Sequence, residues 1–251
     1  MLQEQLVSRN RKPQLTVSLA TSEHDIYRAQ KLRYAVFAEE MGAQLDSAAD
    51  RIDSDEFDAL CDHLIVTDQN SGMVVGTYRM LPPSKAHLAK QLYSEQEFDL
   101  SRLAHIRDNL IEIGRSCVHP DFRSGAVITL LWAGLADYMQ QQGAEYLAGC
   151  ASVSLADGGH LATSLYRKLE GEYLAPAEWR VFPHLALPLG EVSAISPSDA
   201  ATPPLIKGYL RAGAMVCGEP AWDPDFNCAD FFMLMPLSRL SQRYNRHFFA
   251  R

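Results

Sequence analysis

Residues Leu110 to Met139, LIEIGRSCVHPDFRSGAVITLLWAGLADYM, allow few structures. Ile111, Ile113 and Val118 make a strand-like run that also carries a carboxylate, Glu112, and a guanidinium, Arg115. A strand buries such charges only when something compensates them. His119-Pro120 ends the run, and Arg123, Ser124 and Gly125 lead into Val127, Leu130, Leu131, Leu135 and Met139 at helical spacing. A strand, a glycine-containing turn and a helix aim backbone N–H groups and a positive helix end at an anion, and Arg123 adds charge. The same pattern also fits an ordinary strand-to-helix turn with a surface arginine.

The rest of the chain supplies strands and helices to pack around this unit. Leu15 to Ala20 alternates as a first strand, Ser22 and Asp25 form a capping-box pattern, and Ile26, Ala29, Arg33, Val36 and Phe37 follow helical spacing as far as Met41-Gly42. Between Asp46 and Asp62 lie seven carboxylates and a single arginine, Arg51. Such a run is either a solvated acidic loop or a cation site, in which Arg33, Arg79, Arg115 or a cationic substrate relieves the mutual repulsion. His63–Asp68 and Met73–Leu81 are predicted strands joined by the Gln69–Gly72 hairpin turn. Residues 85 to 108 suggest one or two charged surface helices without chemistry of their own. Gly143 stops the central helix, Tyr146–Ala151 is a further strand, and SVSLADGGH (residues 152 to 160) leads into another helix, at whose start His160 is read as structural. Trp179–Leu187 is predicted as a strand, 190 to 204 as a loop or lid, 205 to 213 as a short basic segment, and Phe231–Met235 as the final strand. A tail helix follows, with Leu237, Leu240, Tyr244 and Phe248 on one side and Arg239, Arg243 and Arg246 on another.

At 251 residues and 47% hydrophobic, the chain suffices for one α/β domain spanning 15 to 251, preceded by a flexible N-terminus, 1 to 14. A net charge of −8 excludes a general nucleic-acid binder, which needs clustered excess Lys and Arg. The five cysteines contain no C-x-x-C pair, so reduced thiols, no metal site and a cytoplasmic setting are expected. No apolar run reaches membrane-spanning length.

Arg123-Ser124-Gly125-Ala126 resembles, one residue short, the pyrophosphate-binding turn of the GNAT N-acyltransferases. RYAVFAEEMG (33 to 42), DSDEFD (53 to 58), VVGTYRMLPP (74 to 83) and EIGRSCV (112 to 118) further resemble the acyl-homoserine lactone synthases, at Arg33, Phe37, Asp53, Asp55, Asp58, Arg79, Glu112 and Arg115. Over nearly the whole chain, RSCVHPDFRSG, GCASVSLADGGH and KGYLRAGAMVCGEPAWDPDFNCADFF are similar to bacterial L-ornithine Nα-acyltransferases. The resemblance implies a GNAT-like α/β fold, a mixed central sheet flanked by helices, with a C-terminal extension from about residue 205. It implies transfer of a (3-hydroxy)fatty acyl group from the 4′-phosphopantetheine of acyl carrier protein to the α-amine of L-ornithine, giving lyso-ornithine lipid, with homoserine lactone synthesis as the alternative. No bound cofactor is expected.

Amine attack on a thioester needs a base and oxyanion donors. The expected base is Glu112, with a structural ion pair to Arg115 as its alternative role, and the expected donors are the backbone N–H groups at Cys117 and Val118. A covalent role for the Cys117 thiol is disfavoured, because no His/Asp spacing completes a triad. Arg33, Phe37, Asp53, Asp55, Asp58, Arg79 and Arg115 are expected to bind substrate, the aspartates facing the distal ammonium. Arg123, Ser124, Gly125 and Ala126 are expected to hold the phosphopantetheine. For the arginine-bearing tail, reversible contact with an anionic membrane and packing on the core are both open.

Overall fold

The computed structural model describes residues 12 to 192 and 200 to 240. The tail positions Arg243, Tyr244, Arg246 and Phe248, most of the N-terminal segment and part of the 190-to-204 loop lie outside the described residues.

One sheet of eight strands organises the chain: β1 (Leu15–Leu19), β2 (Asp62–Asp68), β3 (Met73–Leu81), β5 (Leu110–Val118), β6 (Tyr146–Ser154), β8 (Met215–Val216), β9 (Ala221–Asp223) and β10 (Cys228–Pro236). Its spatial order is β1-β2-β3-β5-β6-β10-β8, with β9 also on β10. Every pairing is antiparallel except β5 with β6. The extension from about residue 205 contributes to this sheet, since β10 pairs with β6 from Cys228↔Ser154 to Pro236↔Tyr146.

Helix α1 (Glu23–Tyr34) is capped by Ser22, whose hydroxyl accepts from the Asp25 N–H at 3.2 Å. It continues as a π-helical stretch, Ala35–Glu40, and ends at Gly42 in the left-handed region. Helix α3 (Ala126–Gln142) runs between Gly125 and Gly143, both left-handed, and buries the predicted Val127, Leu131, Leu135 and Met139. It lies close on β3, where a Cβ on Gly76 would sit 2.4 Å from Val127 Cγ1. Helices α4 (His160–Leu169) and α5 (Pro204–Ala212) complete that face.

On the opposite face the expected surface helices of 85 to 108 are replaced by irregular structure: a four-residue α2 (Pro83–Ala86), 3-10 turns at Tyr93–Gln96 and Ser101–Asn109, and β4 (Phe98–Asp99). Phe98, Leu100, Leu103 and Ile106 are buried here, forming a second core with Phe232 and Leu234. Their spacing is neither strictly helical nor alternating, which is why periodicity misses them. Only Phe182–Pro183 of the expected 179-to-187 strand pairs as one, as β7 against β4. The segment from 205 to 213 is largely α5, with Ile206, Gly208 and Ala212 buried and Lys207 and Arg211 exposed. The tail helix does not start at Pro236; Leu237–Arg239 is one 3-10 turn, closed by an extended Leu240.

Candidate active site

The site begins with an irregularity in β5. Thr77 faces Cys117 and Arg79 faces Gly114, so the single residue Tyr78 opposes two, Arg115 and Ser116. This is a β-bulge, and Arg115 takes the left-handed conformation (φ 50°) that the extra residue requires. The bulge turns Arg115 to the face that carries Glu112, instead of the opposite face that strict alternation would give.

Beyond the bulge β5 leaves its parallel neighbour. The β5–β6 ladder covers only Leu110↔Tyr146, Ile111↔Leu147 and Glu112↔Ala148, although the strands continue to Val118 and Ser154. At the point of divergence the backbones nearly touch, and a Cβ on Gly149 would lie 2.1 Å from the Ile113 carbonyl oxygen. The phase of the β3–β5 ladder decides which amides face the gap. The His119 N–H donates to Val75 O at 2.9 Å, so alternation gives the Cys117 N–H to Thr77 and turns those of Ser116 and Val118 away from β3. Of the two expected oxyanion donors, Val118 points at the opening and Cys117 does not.

A cavity of about 470 Å³ occupies the opening. On the α3 side its wall is mostly apolar: Tyr78, Leu147, Leu205, Ala214, Met233 and Met235, with Tyr209 from α5. The Tyr78 and Tyr209 hydroxyls hydrogen-bond each other there, and Tyr209 stacks on Trp132 with ring centroids 5.9 Å apart. On the other side the wall is polar: Tyr93, Arg115, Cys150, Ser152, Asp223, Cys228 and Asp230, with Phe226. The Arg115 guanidinium sits between the rings of Tyr93 and Phe226, 4.6 and 4.9 Å from their centroids.

The acidic run divides between the two readings: Asp46, Asp50 and Glu56 are exposed, whereas Asp53, Asp55 and Asp58 form the cation site that Arg33, Arg79 and Arg115 fill. Arg33, fully buried on α1, donates from Nε to Asp53 at 2.8 Å and from Nη1 and Nη2 to Asp58 at 3.0 and 2.7 Å. Arg79 meets Asp55 at 2.5 Å and Asp58 at 3.0 Å, and Arg115 meets Asp53 at 3.1 Å and Asp55 at 3.3 Å. Three guanidinium groups thus balance three carboxylates. Burial opposes the Asp58 charge, yet Arg33 and Arg79 hold its carboxyl well below the usual range. Asp53, Asp55 and Asp58 do not line the cavity.

The alternative expected for Glu112, a structural ion pair, is not what the structure shows. Glu112 makes no ion pair with Arg115; its two oxygens accept the backbone N–H groups of Tyr93 and Ser94, each at 2.8 Å. Burial pushes its carboxyl upward against those bonds and the nearby Arg79. It lines a recess of about 10 Å³ that shares Tyr93, Ile113 and Gly114 with the main cavity. That is about the space of one water.

Phe37 and Val118 stand on the cavity wall with Val36 and Met41. Cys117 is buried, and burial pushes its thiol up to about 12, which removes the thiolate a covalent route needs. Arg123 reaches the cavity edge, but both its terminal nitrogens bond Glu40, at 2.6 and 2.7 Å, and its Nε donates to Val118 O. Gly125 supplies the left-handed start of α3, whose first turn has no side-chain cap. Tyr93, Asp223 and Asp230 were not anticipated. For Asp230 the signal is present in CADFFMLMP, where it is the one charge in a strand-length apolar run.

A bulged central strand diverging from a parallel neighbour, over a glycine turn and an uncapped helix, defines the class: this is a GNAT-fold acyltransferase, and the acetyltransferase (GNAT) domain family matches residues 32–133. FeeM, an N-acyl amino acid synthase from uncultured soil microbes, shares the fold at a TM-score of 0.56 and 11% identity, over 91% of this chain and 95% of that one. The L-ornithine N(alpha)-acyltransferase of Brucella abortus (strain 2308) is 39% identical over 94% of this chain and 89% of its own length. An acyl-homoserine-lactone synthase of Rhizobium etli is 31% identical over 52% of this chain and 61% of its own. The chain belongs to the L-ornithine N(alpha)-acyltransferase family.

Proposed function

We propose that the protein moves a (3-hydroxy)fatty acyl group from the 4′-phosphopantetheine arm of an acyl carrier protein to the α-amine of L-ornithine, forming lyso-ornithine lipid. The observation that carries this reading is the two-sided cavity in the β5–β6 opening: an apolar side suited to an acyl chain, a charged side suited to an amino acid, and a strand edge between them. The donor arm enters at the uncapped start of α3, where Ser124, Gly125 and Ala126 present backbone N–H groups to its phosphate. Arg123 stands beside them. Exposed Lys207 and Arg211 on α5, the helix that walls the acyl side, face an acidic carrier.

The amine nitrogen attacks the thioester carbonyl carbon, and the oxyanion is held by the Val118 N–H, joined by that of Ser116. Glu112 takes the amine proton through a water in the shared recess. The C–S bond then breaks, and the thiolate leaves with that proton. Arg115 faces the ornithine carboxylate, and Arg33, Arg79 and the aspartates hold Arg115 and the loop in place. Phe37 closes the wall beside Val118.

Incubation with 3-hydroxyacyl carrier protein and L-ornithine, followed by mass spectrometry, tests the reading; an Nα-acylornithine is the expected product. An adenine-containing product from S-adenosylmethionine would replace it with lactone synthesis. Equal kcat/KM for matched acyl-CoA and acyl carrier donors would remove the carrier. No helix among the described residues is long and apolar enough to cross a membrane. Contact of the arginine-bearing tail with an anionic bilayer, where the amphiphilic product belongs, is tested by liposome flotation with and without residues 241 to 251.

A further inference from the structure

The carboxylates lining the cavity are Asp223 and Asp230, and neither was counted in the acidic loop. Asp230 lies on β10 opposite Ser152 and is 3% exposed; Asp223 lies on β9 and is 5% exposed. One Asp223 oxygen accepts the Asp225 and Phe226 N–H groups at 2.9 and 3.0 Å, which fixes the side chain against the cavity. Asp230 accepts only a weak contact from the Cys228 thiol, at 3.5 Å, and the Ser152 hydroxyl. Ligand atoms of Asp223, Cys228 and Asp230 fall within 4.8 Å of one another.

Two carboxylates this close, both out of water, repel each other strongly. Among the described residues neither forms an ion pair with a cation. Arg115, the cation across the cavity, favours both charges from a distance but is ion-paired to Asp53 and Asp55, and burial together with the charges of Asp223 and Asp230 pushes the Glu97 carboxyl up to about 7. Among the described residues Arg33 and Arg79 are buried and the Arg115 side chain is 11% exposed, and the ion pairs of all three go to the other acidic cluster. This wall is therefore left with an unmet demand for positive charge on the amino-acid side of the reaction cavity. A compact ammonium with three donors meets that demand, whereas a neutral side chain does not.

We infer that Asp223 and Asp230 hold the side-chain ammonium of the acceptor, so that the enzyme selects a diamino acid over a neutral amino acid of the same length. The inference rests on the ornithine reading and assigns its specificity to residues outside the acidic loop. It also places the two ends of the acceptor: carboxylate towards Arg115, distal ammonium towards β9 and β10, and α-amine between them at the open edge of β5.

The test compares L-ornithine with L-norvaline, the same skeleton without the δ-amine, under one acyl carrier donor. Wild-type enzyme is expected to prefer ornithine. Asp230→Asn and Asp223→Asn are expected to lower the ornithine-to-norvaline ratio of kcat/KM by about 10- to 100-fold, mainly through KM for ornithine, as loss of a charge-assisted hydrogen bond predicts. Melting curves establish that each variant is folded. An unchanged ratio in folded variants overturns the inference. So does wild-type enzyme that turns over norvaline as well as ornithine, a result that needs no variant and leaves ornithine acylation standing. Turnover of neither amine overturns the ornithine reading itself and the inference with it. Loss of activity with EDTA and recovery with zinc also overturns it, by showing that Asp223, Cys228 and Asp230 hold a metal ion.

Discussion

Two acidic clusters lie on the same face of the sheet in opposite electrostatic conditions. Asp53, Asp55 and Asp58 are held by Arg33, Arg79 and Arg115 in an alternating network. Asp223 and Asp230 sit beside Glu97 with no guanidinium of their own, and burial pushes the Asp230 carboxyl up to about 6 and Glu97 up to about 7, each raised further by neighbouring acids. A dense run of carboxylates in sequence therefore marks the cluster that is satisfied internally. The cluster that still requires a cation is assembled from strands and loops far apart in the chain. The first fixes the loop and Arg115; the second faces the cavity.

The contrast is broken most severely at Arg33. Arg33→Met leaves Asp53 and Asp58 buried without their main partner, and removing one side of a buried ion pair costs about 3–5 kcal/mol. Thermal or denaturant unfolding is expected to show that loss. A change below about 1 kcal/mol would mean that Arg79 and Arg115 balance the aspartates alone. Glu112→Gln tests a third carboxylate, held by amides rather than by charges. As the proton acceptor it is expected to lower kcat by roughly 10²- to 10⁴-fold while carrier binding survives. Near-normal turnover in a folded variant would leave Glu112 as an anchor for the Tyr93–Ser94 turn.

Much of this frame is legible in the sequence. Apolar runs bounded by turn signals mark β2, β3, β5 and β6, and helical spacing marks α1 and α3. Arg33, Arg79 and Arg115 could be named as counter-charges for the acidic run, since buried opposite charges require one another. Three things were not legible. The bulge at Arg115 has no local signature, as glycine is the usual residue in that conformation and here Gly114 precedes it. The 85-to-108 segment buries Phe98 and Leu103 through irregular turns, so no period betrays it. The Asp223/Asp230 pair exists only once β9 and β10 fold back together.

The two clusters also pull stability in opposite directions with pH. Asp58 is held below its ordinary value, so its contribution is present above about pH 4 and is lost on acidification. Asp230 is raised, so between its ordinary 3.8 and about 6 the folded state binds the extra proton, and stability falls as pH rises through that window. A rise of that size corresponds to roughly 3 kcal/mol as an upper bound. Asp230→Asn is therefore expected to be more stable than wild type at pH 7.5, with the gain fading towards pH 4. Urea titrations at both pH values measure it. A variant less stable than wild type at pH 7.5 would show that the carboxylate is compensated after all. Stability given up at neutral pH at this position is what a site kept for a cationic ligand predicts.

The smallest expected effect concerns an exposed ion pair at the cavity edge. Arg123 and Glu40 are paired through both terminal nitrogens and both oxygens, with side chains 43% and 39% exposed. Pairs this exposed are worth about 0–1 kcal/mol, so Arg123→Ala should barely move the melting temperature. Its effect on the donor is more informative. With Glu40 in place the cavity edge is locally neutral; Glu40→Gln leaves the Arg123 charge beside the start of α3, where a phosphate would lie. Glu40→Gln is expected to lower KM for acyl carrier protein by a few-fold at low salt, an advantage that disappears at high ionic strength, and the double variant with Arg123→Ala should lack it. Equal KM values for wild type, Glu40→Gln and the double variant at low salt would place the phosphopantetheine phosphate away from Arg123.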